Sequence, residues 1–244
     1  MGVKIAEKAL LPVMVCYDGF ITSHSIENIE LLETDKVKEF VGEYNPENYL
    51  LDDNKNISMG PLDVQTHYFK HRKAISDDMD KVPNIIKEVS KDYFNLTGKK
   101  YDLFESYKLD DSDIAIVVLN STAGTTKVVI DELREKGIKA GLLKPRCFRP
   151  LPFNEIADSL KHLKVVAILD KADSINGYCG PLYSEITSAM YTSNLKVKVI
   201  NYIYGLGGFD VTTEHIKEVF TTLEEIKTND SYNYNTKNYL GLEV

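Results

Sequence analysis

The chain has 244 residues, 43% hydrophobic and 27% charged, with a formal net charge of −8. That balance suits a globular protein of one or two domains, and its acidic surface speaks against non-specific binding to nucleic acid or to anionic membrane. No apolar run approaches the roughly 18 residues of a membrane span, and the opening MGVKIAEKALLPVMV lacks the layout of a signal peptide, so a cytoplasmic location is expected.

The first zone, residues 1–42, opens with an apolar run at 13–17 that reads as a buried strand. A polar turn with Asp18, Gly19, Thr22, Ser23 and His24 follows it. A buried strand so early lacks neighbours, so the chain is expected to be the later portion of something larger. A helix is expected over 34–41 with Thr34 as its N-cap. The second zone, residues 43–109, starts with NPENYLLDDNKNISMGPLD, a connecting arm with little periodicity. A helix is expected at 77–95, because Met79, Val82, Ile86, Val89 and Tyr93 recur at spacings of three and four. Pro83 fits its first turn and Gly98 its stop.

The third zone, residues 110–228, alternates strands (114–119, 138–143, 165–169, 197–203) with helices (128–136, 153–163, 182–191, 212–223). This is the pattern of βαβ units, and predicts an α/β fold: an open, mostly parallel sheet with helices on both faces. The tail, residues 229–244, is polar with three tyrosines and reads as disordered or pressed on a neighbour.

Ligands of such sheets gather beyond the C-terminal ends of the strands. Four loops lie there, at 120–127, 144–152, 170–181 and 205–210. The first leads into a helix N-terminus, where Ser121 and Thr122 either cap the helix or help hold an anion. It lacks the Gly-Lys-Ser/Thr of a Walker loop. Arg146 and Arg149 stand on a proline-stiffened loop and suit either an anion clamp or an interface. GLGGFD has Asp210 where a dinucleotide fingerprint would need glycine, so a nucleotide-binding domain is a weak reading and a glycine turn with Thr212 or Thr213 capping the next helix a better one. Asp18, Ser23 and His24 do not form a recognisable nucleophile motif. Cys16, Cys147 and Cys179 are scattered, with no CxxC pair, so neither a zinc nor an iron–sulfur site is expected. Cys16 reads as a core residue and the other two as loop thiols.

LPVMVCYDGFITSH, MGPLD, STAGTTKVVIDELREKGIKAGLLKPRCFRPLP, GPLYSEI, GLGGFDVT and the terminal YLGLEV occur in this order. Together they resemble the α subunits of 2-oxoacid:ferredoxin oxidoreductases, most closely the pyruvate branch. The resemblance implies that 1–42 is the C-terminal piece of a pyrimidine-side thiamine-diphosphate domain, that 43–109 is a linker arm with one helix, and that 110–228 is similar to the transketolase C-terminal domain. It implies a complex of anaerobic metabolism that decarboxylates a 2-oxoacid and passes electrons to ferredoxin and the acyl group to coenzyme A. Partners are then the other subunits and, indirectly, ferredoxin and coenzyme A. Thiamine diphosphate, magnesium and the iron–sulfur clusters belong to the wider complex, with none bound by this chain alone. The family's pyrimidine-activating glutamate is expected to precede Met1. Thr22, Ser23 and His24 are expected on the cofactor-side turn, and Arg146, Arg149, Ser121 and Thr122 at an anion or interface. The chain departs from the family's usual pattern at Asn120, Lys171 and Phe209, where glycine, arginine and arginine are common. The alternative is a non-catalytic assembly or interaction protein derived from that subunit.

Overall fold

A computed structural model describes residues 1–242; residues 243 and 244, the end of the tail, lie outside the described residues. The chain divides into two compact units. One comprises Met1–Cys16 and Glu27–Asp102, the other Tyr17–Ile26 and Leu103–Val244.

The second unit is built on a six-stranded sheet. Its strands are β1 (Phe104–Tyr107), β2 (Ile114–Val118), β3 (Ala140–Pro145), β4 (Val165–Asp170), β5 (Lys198–Ile203) and β6 (Lys237–Tyr239), and its helices α5 (Thr122–Glu135), α6 (Phe153–Leu160), α7 (Pro181–Thr192) and α8 (Thr213–Thr228). The spatial order is β1-β3-β2-β4-β5-β6, with only β1 antiparallel to its neighbour. The open parallel sheet expected from the Val/Ile runs is therefore present, because strands covered on both faces can be apolar throughout. Side chains alternate across it. Ile114, Ile116 and Val118 face a core shared with Val129 and Ile130 of α5 and Val219, Phe220 and Leu223 of α8. Ala115 and Val117 face Ile156 and Leu160 of α6 and Leu182 and Ile186 of α7. Each fully buried Val, Leu or Ile contributes about 1.5–3 kcal/mol of transfer free energy.

Strand order reverses at β2, whose neighbours β3 and β4 are reached by crossovers in opposite directions. That is the switch point at which an open sheet forms a crevice. β1 and β6 close the two edges. Both are short and partly polar, which hid them in the sequence. The tail is thus ordered at this point: β6 pairs with β5, and Leu240 is buried behind it.

The first unit holds α1 (Gly2–Ala9), α2 (Thr34–Val41), α3 (Gln65–Met79) and α4 (Val82–Thr97). Lys4 and Lys8 of α1 reach Asp92 and Glu88 of α4 at 3.0 and 3.1 Å. Phe40 of α2 packs edge-on against Tyr93 of α4. Pro83 lies in the first turn of α4 and Gly98 ends it with φ +70°, as expected from the sequence. The expected single helix at 77–95 is in fact two, broken at Asp80–Lys81, and α3 occupies part of what reads as a linker.

Two expectations fail here for one reason. Residues 13–17 form no strand, and Met14 and Val15 are largely exposed. A strand needs a laddered neighbour, and none flanks this run among the described residues. Cys16 is consequently exposed rather than in a core, whereas Cys147 and Cys179, expected as loop thiols, are buried. Helix α2 starts at Thr34 itself, with Glu33 before it and no side-chain cap. Among the described residues, no helix is long and apolar enough to cross a membrane.

Candidate functional site

A cavity of about 1010 Å³ opens at the C-terminal ends of β2, β4 and β5, within the second unit. Its walls come from 17–21, from 119–122 after β2, from Phe148 after β3, from 169–172 after β4 and from 204–211 after β5. This is the strand-end crevice that the topology predicts.

The loop after β2 turns sharply. Asn120 has φ +58°, in the left-handed region that asparagine tolerates better than other side chains. α5 then begins with Ser121 as N-cap, but the serine side chain caps nothing. The Ser121 N–H instead donates to the Asp18 carboxylate at 2.7 Å, across 103 positions of sequence. A carboxylate at a helix N-terminus is favoured by the helix dipole and by the free amides. Thr122 is buried, and burial pushes the Tyr204 phenol up to about 12. Tyr204 is thus a neutral hydroxyl in the cavity wall at physiological pH.

The loop after β4 is tied down by a buried polar cluster. Asp170 accepts hydrogen bonds from the Leu182 and Tyr183 N–H groups at 2.7 and 3.1 Å and from the Asn201 amide at 2.9 Å. Asn201 in turn accepts the Gly180 N–H at 2.9 Å. Burial pushes the Asp170 carboxyl up, and the hydrogen bonds oppose that shift. Only glycine fits at 180, since a Cβ there would overlap the Asp170 carboxyl. The Lys171 stem packs against Gly205 at the cavity. The GLGG turn places Gly205, Gly207 and Gly208 at φ +64°, +65° and +87°, which explains its glycines without any dinucleotide. Thr212 caps α8 by accepting the His215 N–H, as expected.

The expected site residues separate into groups. Ser121 and Thr122 line the cavity. Thr22, Ser23 and His24 follow the wall segment 17–21 in an exposed turn, where the Ser23 hydroxyl and His24 Nδ1 lie 2.6 Å apart. Asp18 is engaged with α5, so no Asp–His–Ser relay forms. Arg146 reaches Glu105 at 2.5 Å, and Arg149 reaches Glu185 at 2.7 Å with its guanidinium over Phe148. Both arginines thus have partners within the unit. Sequence reading missed Asp170, Gly180, Asn201 and Tyr204; each is meaningful only through a residue far away in sequence.

The donor set at this cavity does not fit a metal-bound diphosphate. Asp18 and Asp170 are committed to backbone N–H groups, which leaves Asp210 and Lys171 as the remaining charged wall residues. Among the described residues, no group of three His, Cys, Asp or Glu is placed to hold a metal ion.

The family model described as pyruvate:ferredoxin oxidoreductase core domain II matches residues 112–216, the heart of the sheet unit. The model for the thiamine-diphosphate-binding part of pyruvate flavodoxin/ferredoxin oxidoreductases matches residues 1–91. The chain is 39% identical to pyruvate synthase subunit PorA of Thermotoga maritima over 99% of its own length and 61% of the relative's. This chain belongs to the pyruvate:ferredoxin oxidoreductase family. A second PorA, from Methanocaldococcus jannaschii, is 38% identical over 91% of this chain and 57% of its own. The chain thus spans about three fifths of the length of these curated relatives. Among solved structures, a 2-oxoglutarate:ferredoxin oxidoreductase from Magnetococcus marinus aligns with a TM-score of 0.40 and 21% identity, over 63% of this chain and 23% of that one.

Proposed function

We propose that this chain is part of the α-type subunit of a pyruvate:ferredoxin oxidoreductase. The complex would oxidatively decarboxylate pyruvate, transfer the acetyl group to coenzyme A and pass electrons to ferredoxin. The observation that carries this reading is the match to PorA over 99% of the chain. Two family models in the expected order support it. Thiamine diphosphate, magnesium and iron–sulfur clusters would be held by other parts of the complex.

In this reading residues 1–42 belong to the thiamine-diphosphate side, 43–109 connect, 110–228 form the second core domain, and 229–244 are its C-terminal tail. The turn with Thr22, Ser23 and His24 would face the cofactor. Arg146, Arg149, Ser121 and Thr122 would serve an anion or a subunit interface. The protein would work in the cytoplasm, in anaerobic metabolism, with other subunits as direct partners.

The test is purification of the assembly through a tag on this chain, followed by a pyruvate- and coenzyme-A-dependent ferredoxin reduction assay. Activity is expected to elute with the tag and to be absent from the chain alone, which is also expected to show no micromolar thiamine diphosphate binding by calorimetry. A lone, stable monomer without associated activity would instead favour an assembly or interaction protein.

A further inference from the structure

Between residues 12 and 39 one side chain is buried, and it is a carboxylate. Asp18 is 9% exposed, while its neighbours Tyr17 and Phe20 are 66% and 76% exposed. Apolar groups in this stretch thus remain in water while the charged one does not, the reverse of what transfer free energies favour. A buried carboxylate persists only where donors compensate it, and the donor here is the Ser121 N–H at the start of α5.

The other hydrogen bonds of residues 17–26 stay inside the turn. Phe20 N–H donates to the Ser23 hydroxyl, His24 N–H to the Phe20 carbonyl, and Ile21 N–H to the Gly19 carbonyl. Among the described residues, Asp18 therefore supplies the one hydrogen bond joining this turn to the sheet unit. The segment Tyr17–Ile26 groups with that unit although the chain on both sides of it groups with the other.

We propose that Asp18 is a positioning residue: its carboxylate acts as the resident anion of the α5 N-terminus and so fixes the turn that carries Thr22, Ser23 and His24 beside the strand-end cavity. The latch stands on the geometry alone. Its consequence for turnover rests on the functional reading given above.

Hydrogen exchange on the full chain tests the latch. Asp18→Ala is expected to speed exchange of the amides of 17–26 about tenfold or more, with β2, β4 and β5 unchanged. Asp18→Asn keeps an acceptor oxygen but loses the charge, and is expected to fall between. Unchanged exchange in 17–26 for a folded Asp18→Ala overturns the latch. Should Asp18→Ala disturb the whole sheet, Asp18→Asn decides: acceleration confined to 17–26 supports the latch, and acceleration throughout the sheet overturns it. In the purified assembly, Asp18→Ala is expected to lower kcat several-fold, with partial recovery in Asp18→Asn and an unchanged KM for ferredoxin. A loosened turn with unchanged kcat overturns the positioning role. Absence of pyruvate-dependent activity in the wild-type assembly overturns the functional reading and leaves the exchange result standing.

Discussion

The two units use similar amino acids in opposite ways. In the sheet unit, the apolar residues of β2 and β4 are all buried, because α5 and α8 cover one face and α6 and α7 the other. In the first unit, Met14, Leu31, Leu51, Leu62 and Phe69 are each at least 80% exposed, and buried apolar side chains are confined to Val82 and Val89 of α4. Hydrophobicity drives burial only where a second layer exists to receive it. The same kind of run therefore becomes the strand β2 in one unit and exposed irregular chain at 13–16 in the other.

The sharpest test of that contrast is a pair of truncations. Ile116→Ala removes a fully buried side chain from the middle of β2 and is expected to cost about 2–5 kcal/mol. Leu31→Ala removes an exposed one and is expected to change stability by less than about 0.5 kcal/mol. Urea unfolding of the two variants checks both, and comparable losses would break the comparison.

Next in size is the polar cluster that anchors the loop after β4. Asp170→Ala leaves the Leu182 and Tyr183 N–H groups without their acceptor and the Asn201 amide with the Ile168 carbonyl alone. Each buried donor left unpaired costs about 1–3 kcal/mol, so a loss of at least that size is expected. Gly180→Ala is expected to destabilise by about 1–3 kcal/mol through overlap with the same carboxyl. Thermal unfolding of both variants measures the cluster from its two sides.

These residues also mark where the sequence stops being readable. β2 to β5 and their crossover helices are legible because continuous Val/Ile runs and three-to-four spacing are local signals. β1, reading Phe-Glu-Ser-Tyr, and β6, reading Lys-Asn-Tyr, carry no such signal, because edge strands are specified by their neighbours. α3 has a weak apolar stripe, QTHYFKHRKAISDDM, and no cap. At the site, the strand-end loops follow from topology, but Asp18 with Ser121 and Asp170 with Asn201 are pairings across 103 and 31 positions. Nothing in local spacing indicates them.

A smaller effect separates pH regimes within the sheet unit. Glu105 on β1 is partly buried, which by itself would raise its carboxyl; Lys127 and Arg146 outweigh that and hold it below the usual 4.5. Its folded-state value is therefore the lower one. The stabilisation is present above about pH 4.5 and is lost as pH falls through the depressed value. Glu105→Gln is expected to lose under about 1 kcal/mol at pH 7, and the gap to wild type should close in acid. A gap that widens below pH 4 would reverse the assigned direction.

The last contrast leaves stability untouched. Cys16 stands exposed in the first unit, while Cys147 and Cys179 are buried in the second. Burial also raises both sheet-unit thiols, so their thiolate fraction at neutral pH is lowered as well as shielded. The Cys147 thiol additionally donates to the Pro150 carbonyl at 3.0 Å. Iodoacetamide at pH 8 is therefore expected to modify Cys16 in the native chain, and the other two only after urea unfolds the sheet. Peptide mass spectrometry reads all three at once. Native labelling of Cys179 at a rate matching Cys16 would mean that the loop after β4 opens on the labelling timescale, against the hydrogen-bonded anchor that Asp170 and Asn201 provide.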